Sequence, residues 1–537
     1  MNKKLFSKFY AILLRTPLHK TVLEKYASEN IIKKFTDGWG GNADNGYEIL
    51  KGYFSFYGES VFLKDYIWAR NKASLTWNNE LHSFCWIRDL RAVGSNKART
   101  FSRKCVTDWI NDFNYWSKKE WRSDILAKRV CALLENFTFY CSGAEEKLQK
   151  KVIKSLSIQS KHLINYDLVD SDGFERMFCV KAIIMASLSF KTLKKFHDFG
   201  CSLALSEIDK QVTNEGLHKQ KSPKIHLEFL QILIDIKNFL SLSKIQVPEK
   251  INSTILKMAS FLKFYRHGDG SLASFNNSSP VNKFLIDQVL LRSNSKKKIP
   301  NSSNNLGLQR ISENKITFLM DAGKPSISSI YAGSLSFEFS FGKQIIIVNS
   351  GSPHIQNKKW AEAMKSTAAH STLTIDNVNS SDIFFEKFKK GRIADVWSKK
   401  YTDGKSHWIE SSHNGYKEVF GLIHNRKIHI DTHKKIIRGQ DTLVKTPGYY
   451  KTKPKYSQLR FHIHPDVEAN ITSGKKKVIL RLKDGHGWEF ICSDPIIEIG
   501  ESIYLGLSNT ITKNLHILLE ERVIPGKKLK WLFRSIS

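Results

Sequence analysis

The sequence predicts an α+β chain in two parts, helical hairpins first and an antiparallel β-sandwich after them. Three observations carry that reading. From roughly Asn96 to Tyr265 apolar residues recur at helical spacing, and past Asn305 their period falls to two. Between the two patterns, Ser293–Asn305 (SNSKKKIPNSSNN) is rich in Ser, Asn and Lys and reads as a linker.

The clearest helix opens at Ser222-Pro223, an N-cap followed by proline at the first helical position. Ile225, Phe229, Ile232, Leu233, Ile236, Phe239 and Leu240 then share one face. The same spacing runs through Val106–Trp116, Ile125–Cys141, Val152–Leu163, Phe178–Phe190, Leu203–Val212 and Ile251–Phe264. Short breaks such as Ser142-Gly143-Ala144 fold such helices into antiparallel hairpins. In the second half Leu335, Phe337 and Phe339 alternate with Ser336, Glu338 and Ser340, and Ile428 and Ile430 with His429 and Asp431. Leu459, Phe461 and Ile463 alternate with Arg460, His462 and His464, so both histidines share a face with the arginine. Turns such as Lys483-Asp484-Gly485 separate these strands, as in a sandwich.

The 537 residues include 84 Lys and Arg against 51 Asp and Glu, a net charge of +33. That excess favours a polyanionic partner. The competing reading is compositional bias, because the basic residues are scattered and the chain is also rich in Ile, Asn and Ser. No phosphate-binding glycine loop, H-E-x-x-H or G-x-S-x-G occurs, and no aromatic-interleaved basic stripe runs along the chain, so no nucleic-acid partner is expected. Seven dispersed cysteines, with no C-x-x-C pair, give neither a disulfide framework nor a cysteine zinc site. The apolar stretch Phe9–Leu14 is closed by Arg15, too short for a signal peptide, and no run approaches the ~20 apolar residues of a membrane span. A cytoplasmic protein is the expectation, with periplasm or cell envelope as the alternative.

Histidines are the positive signal, since imidazole is both a general base near neutral pH and a metal ligand. His218 and His226 flank Ser222-Pro223, His267 lies in Arg266-His267-Gly268-Asp269-Gly270, and His370 precedes Ser371-Thr372-Leu373. His413, His424, His462 and His464 follow in the β half. His370 shares parity with Thr372 and Thr374, opposite Leu373 and Ile375, so it is expected to point away from the sandwich core.

Several collinear strings resemble bacterial heparinase II/III-like proteins. They are Trp77–Arg91 (WNNELHSFCWIRDLR), Gln211–Pro223, Tyr265–Asn276 (YRHGDGSLASFN), Ala332–Ser340 (AGSLSFEFS), Val348–Gly351, Thr367–Ser380 (TAAHSTLTIDNVNS), His413–Tyr416 and Arg460–His464. The resemblance covers about residues 65 to 537. It implies an N-terminal extension over 1–64, partly helical, an (α/α) toroid over 65–292, the linker at 293–305 and a β-sandwich over 306–537. It also implies lyase activity on an anionic, uronate-containing polysaccharide or oligosaccharide by β-elimination. A base takes the C5 proton, the C4–O4 bond breaks, and an acid protonates the leaving oxygen.

Carried over residue by residue, His370 matches the family's sandwich histidine, as base or metal ligand. His424 matches a second histidine tied to zinc in some members. One zinc ion held by His370, His424 and Asp382 or Asp395 is therefore an expectation of the resemblance. The family's toroid asparagine falls near Gly173–Arg176, where no Asn stands, and its tyrosine falls on Ile225. His218, His226 and Tyr331 are the candidates to replace them. Arg88, Arg266 and Arg460 are candidate forks for a carboxylate or sulfate, and Trp86 a surface for sugar stacking. Two other readings compete with the lyase. One is a catalytically lapsed glycan-binding protein. The other is a toroid-type glycoside hydrolase using Asp89 and Asp269.

Overall fold

The computed structural model describes residues 14, 16–166, 173–303, 306–327, 330–352, 358–383, 391–448, 451–494, 496–507 and 511–536. Residues 1–13 and Arg15, on which all of the leader reading but Leu14 rests, lie outside them. The chain forms two compact units, Met1–Val212 with Glu228–Ile255, and Thr213–Leu227 with Leu256–Ser537. Ser293–Asn305, expected as the linker, thus lies within the second unit, where Ser302-Ser303 is a short edge strand.

The first unit is built of helices, with a two-stranded hairpin, Tyr53–Phe56 and Glu59–Phe62, in the extension. Helices Leu75–Ser83 and Asn96–Phe113 start where the Ser74 and Ser95 hydroxyls accept from Trp77 N and Ala98 N, satisfying amides the helix cannot. Ile87–Val93 ends at Gly94, whose φ of 68° suits glycine. Helix Glu175–Ser189 is buried on almost every side, because its apolar residues surround it rather than forming a stripe. Its Lys181 ammonium lies 2.8 Å from Glu135 and 2.8 Å from Asp235, and the Trp39 indole donates to Asp235 across 2.8 Å. Charges this deep persist only when paired.

The second unit is a sandwich of two antiparallel sheets. One sheet orders Glu468–Ile471, Lys477–Arg481, Gly487–Cys492, Lys528–Ile536, Ile436–Lys445, Leu422–Asp431, Ser406–His413 and Val396–Asp403. The other orders Ile497–Tyr504, Thr512–Arg522, Tyr456–Ile463, Gln344–Val348, Ser336–Phe341, Ile316–Asp321, Leu308–Glu313 and Ser302–Ser303, with Leu373–Ile375 also on Tyr456–Ile463. Phe318, Phe337, Phe339 and Phe461 from this sheet meet Ile428, Trp488, Trp531 and Phe533 from the first in one core.

Alternation alone predicts a solvated outer face, yet Ser336–Phe341 and Ile316–Asp321 are buried throughout. The reason is a second layer. Leu217, Phe261, Phe264, Tyr265, Ala273 and Phe275 pack with Leu308 and Leu319 on the outer side of that sheet. Polar Glu338, Ser340 and Asp321 are therefore enclosed and must be paired.

Candidate active site

Under that second layer, buried polar groups converge on the loop that carries His370. Glu338 Oε2 is 2.9 Å from His267 Nε2, and its carboxylate accepts from Ser274 N and Asn349 N. Asn349 Nδ2 donates to Glu338, and its Oδ1 accepts from Ser371 N at 2.9 Å. Lys221 donates to Asp321 at 2.7 Å, and Asn276 Nδ2 donates to the other oxygen at 2.7 Å. These pairs tie the Thr213–Leu227 segment and the Tyr265–Asn276 loop to the sheet. Leu335 holds φ 64°, costly for a side chain of that size and kept by its surroundings.

His370 is buried, at 4% exposure, and does not belong to the sandwich core cluster. The strand begins only at Leu373, so the parity argument does not extend to position 370. Its Nδ1–H donates to Ser366 O at 2.7 Å, which leaves Nε2 as the lone-pair nitrogen, with no partner among the described residues. Burial lowers its pKa, so the ring is neutral. Tyr331 stands beside it edge-on, ring centroids 6.3 Å apart. The Tyr331 hydroxyl donates to Asn277 Oδ1 at 2.8 Å, and Ser352 Oγ reaches the same oxygen at 2.7 Å. Burial pushes the Tyr331 phenol up to about 12, so it keeps its proton. Asn276 and Asn277 both adopt left-handed backbone, which asparagine tolerates, and the turn leaves Asn277 exposed. With Oδ1 fixed by two hydroxyls, the Nδ2 donors of Asn277 have no partner among the described residues.

The other predicted residues are placed differently. His226 donates from Nε2 to Met258 O at 2.7 Å and accepts at Nδ1 from His218 N, and burial lowers it to about 4. His218 is equally buried, accepts from Gln220 N, and is lowered to about 3. Both rings are buried and neutral, and both nitrogens of His226 are engaged. Arg266 donates to Gly270 O and pairs with Asp287 at 2.9 Å, pinning its own loop. Arg460 is spent on Thr374 and Gln458. Arg88 pairs with the buried Asp37 at 2.9 Å in the helical unit. Trp86 is a core residue whose indole donates to Leu81 O while its ring stacks on Phe84, so no face is left for a sugar. Asp89 accepts from Asn42 N. Asp269 accepts from Ser271 N as a turn former. Burial would raise its carboxyl, but hydrogen bonds from Lys283 and Ser271 outweigh that and hold it low, unsuited to a general acid.

Of the expected zinc donors, His424, Asp382 and Asp395 are engaged in other pairs. Gly415 N–H donates to His413 Nδ1, which fixes that ring as the Nε2–H tautomer. His413 Nε2 then meets His424 Nδ1 at 3.2 Å, and His424 Nε2–H donates to Asp441 at 2.6 Å. Both nitrogens of His424 are thereby engaged. Asp382 is held by Arg392, and Asp395 by Lys324. No group of three or more His, Cys, Asp or Glu side chains suited to a metal occurs among the described residues. The His424 network serves another end: Asp441 grips Arg426, whose Nη1 donates to Leu335 O and Ser371 O, fastening backbone on both sides of the His370 loop.

Residues 19–304 match the family description "Heparinase II/III N-terminus", and residues 296–532 match "Heparinase II/III-like, C-terminal". The chain belongs to the heparinase II/III family. It is 25% identical over 474 residues to FtsZ-localized protein C of Caulobacter vibrioides, covering 84% of this chain and 80% of that one. A crystal structure of heparinase III superposes with a TM-score of 0.74 at 12% identity, covering 99% of this chain and 91% of that one. Heparan sulfate lyase HepC from Pedobacter heparinus gives 0.63 at 16% identity, covering 92% and 82%. A helical toroid followed by an antiparallel sandwich is thus the shared heparinase III fold, as the sequence predicted. Within this family member, Asn277, Glu338, Asn349 and Lys221 escaped the sequence reading. The signals were present: a glutamate at a strand position that proves enclosed, and paired asparagines just past the glycine-rich loop.

Proposed function

We propose that the chain is a lyase that cleaves an acidic, uronate-containing glycan by β-elimination, using His370, Tyr331 and Asn277. The observation that carries this is the state of His370: a neutral imidazole, oriented by Ser366 O, with its Nε2 lone pair uncommitted. In the reaction Nε2 takes the C5 proton. The C5–H electrons form the C4=C5 double bond, the C4–O4 bond breaks, and O4 takes the Tyr331 proton. The Asn277 amide donors supply hydrogen bonds to the uronate carboxylate as charge develops on it, the task left open by the absent toroid asparagine. Family membership and the +33 net charge support an anionic substrate.

The test is incubation with sulfated and unsulfated uronate polysaccharides, followed by ultraviolet absorbance of the C4=C5 bond. A rise lost in His370→Ala supports the reading. Silence across the panel from folded protein overturns it. One observation favours a second reading, a glycan-binding protein without turnover: the relative from Caulobacter vibrioides is named for its localization with FtsZ rather than for catalysis. Tight binding of an acidic glycan with no unsaturated product would select it.

A further inference from the structure

The outer face of the eight-stranded sheet carries a feature the proposed reaction does not use. Cross-strand register brings Tyr401, Trp408, His429, Arg438 and Leu532 into one row across five strands. The neighbouring row on the same face holds Lys399, Glu410, Lys427, Gln440 and Lys530. The Tyr401 and Trp408 rings lie within 8° of parallel, and the His429 ring centroid is 4.5 Å from that of Trp408. Beside them opens a groove of about 500 Å³, lined by apolar Trp408, Ile491 and Leu532 together with Arg438 and Lys530. Glu410 pairs with Lys427 at 2.9 Å, whereas Arg438 and Lys530 make no ion pair among the described residues.

We propose that this groove is a secondary, non-catalytic binding site for an acidic polysaccharide. Sugar rings present apolar C–H faces that pack on an indole, and Arg438 and Lys530 meet the carboxylate or sulfate groups between them. Such a mixed surface suits a charged sugar chain better than a purely apolar or purely ionic partner. This rests on the acidic-glycan reading above and deepens it: a second contact on the same long chain raises its effective concentration at the protein without new chemistry.

The test uses the full chain with immobilised heparan sulfate and polygalacturonate, a neutral dextran, and a single-stranded DNA oligonucleotide. Arg438→Glu combined with Lys530→Glu, and separately Trp408→Ala, should each weaken binding of an acidic polysaccharide at least roughly tenfold. Melting temperature and turnover of short oligosaccharides should stay unchanged. His370→Ala, in contrast, should lose turnover and keep polysaccharide binding. Loss of binding in the groove variants of a protein that never turns over a uronate would end the lyase reading and leave this site standing. Polysaccharide affinity unchanged in both groove variants would overturn the site. So would wild-type protein that binds neither acidic polysaccharide, or that binds the oligonucleotide more tightly through this groove.

Discussion

Tyr331 donates its phenolic hydrogen to Oδ1 of Asn277 across 2.8 Å, so the tyrosine is oriented by the residue whose amide nitrogen it leaves outward. If the pair acts together, the two substitutions should differ in kind. Tyr331→Phe removes the proton donor and should lower kcat by roughly 10²–10⁴-fold with KM little changed. Asn277→Ala removes a substrate donor and should raise KM as well. Equal, small effects on both constants in both variants would reduce the pair to a loop fastening.

Gly333 tests the placement of His370 without touching its chemistry. A Cβ at Gly333 would fall 2.5 Å from the His370 ring, so Gly333→Ala must push the imidazole from its Ser366 anchor. Activity should fall with His370 still present. His370→Ala itself should cost about 1–3 kcal/mol in urea unfolding, because the ring is buried and its removal strands Ser366 O. A Gly333→Ala enzyme with wild-type turnover would show that His370 orientation is immaterial.

The sequence showed the two-part architecture because period 3.6 and period 2 are local signals, and it reached His370 through a recognisable string. It could not show that Thr213–Leu227 and Tyr265–Phe275 cover the outer face of the second sheet, since that depends on contacts remote along the chain. Hence Ser336, Glu338 and Ser340 read as solvent-facing, and His218 and His226 read as proton-transfer groups. The row from Tyr401 to Leu532 was invisible for the same reason: its members lie on five strands and meet only through register.

Arg88 separates a binding role from a structural one. Its guanidinium neutralises Asp37, whose carboxylate is fully enclosed. Arg88→Ala leaves that charge in low dielectric with Arg91, at 3.6 Å, as its remaining ion-pair partner among the described residues, and should destabilise by about 3–5 kcal/mol. Binding of acidic glycan to the fraction that stays folded should be unaltered. A variant of normal stability and weakened glycan affinity would return Arg88 to the substrate.

The tautomer chain from His413 through His424 to Asp441 leaves no nitrogen of His424 for a metal. Treatment with a chelator should leave the melting temperature unchanged. Asp441→Asn, by contrast, should destabilise by about 3–5 kcal/mol, since Arg426 is then buried without its counter-charge. It should also lower activity, because Arg426 holds Leu335 O and Ser371 O beside His370. A chelator-induced fall in melting temperature, reversed by zinc, would restore the metal.

Stability should decline in mild acid, and the buried histidines set the window. Burial lowers His162 and His218 to about 3, and His226 and His464 to about 4, from an ordinary value of 6.5. Below pH 6.5 the unfolded chain binds protons at these positions that the folded chain refuses. The stability these groups contribute is therefore complete above pH 6.5 and is lost as pH falls toward 4 and then 3. Glu135 and Asp89, whose carboxyls burial holds up, act in the opposite sense, but the lowered histidines, His82 and His516 among them, outnumber them. Melting temperature recorded from pH 8 to pH 4 should thus be flat at first and then fall steeply below pH 6.5. His226→Gln keeps a donor and an acceptor of similar size without the titration, and should make the acid limb shallower while lowering stability at pH 8 only modestly. An acid limb unchanged in His226→Gln would mean that proton uptake at His226 does not contribute to the loss.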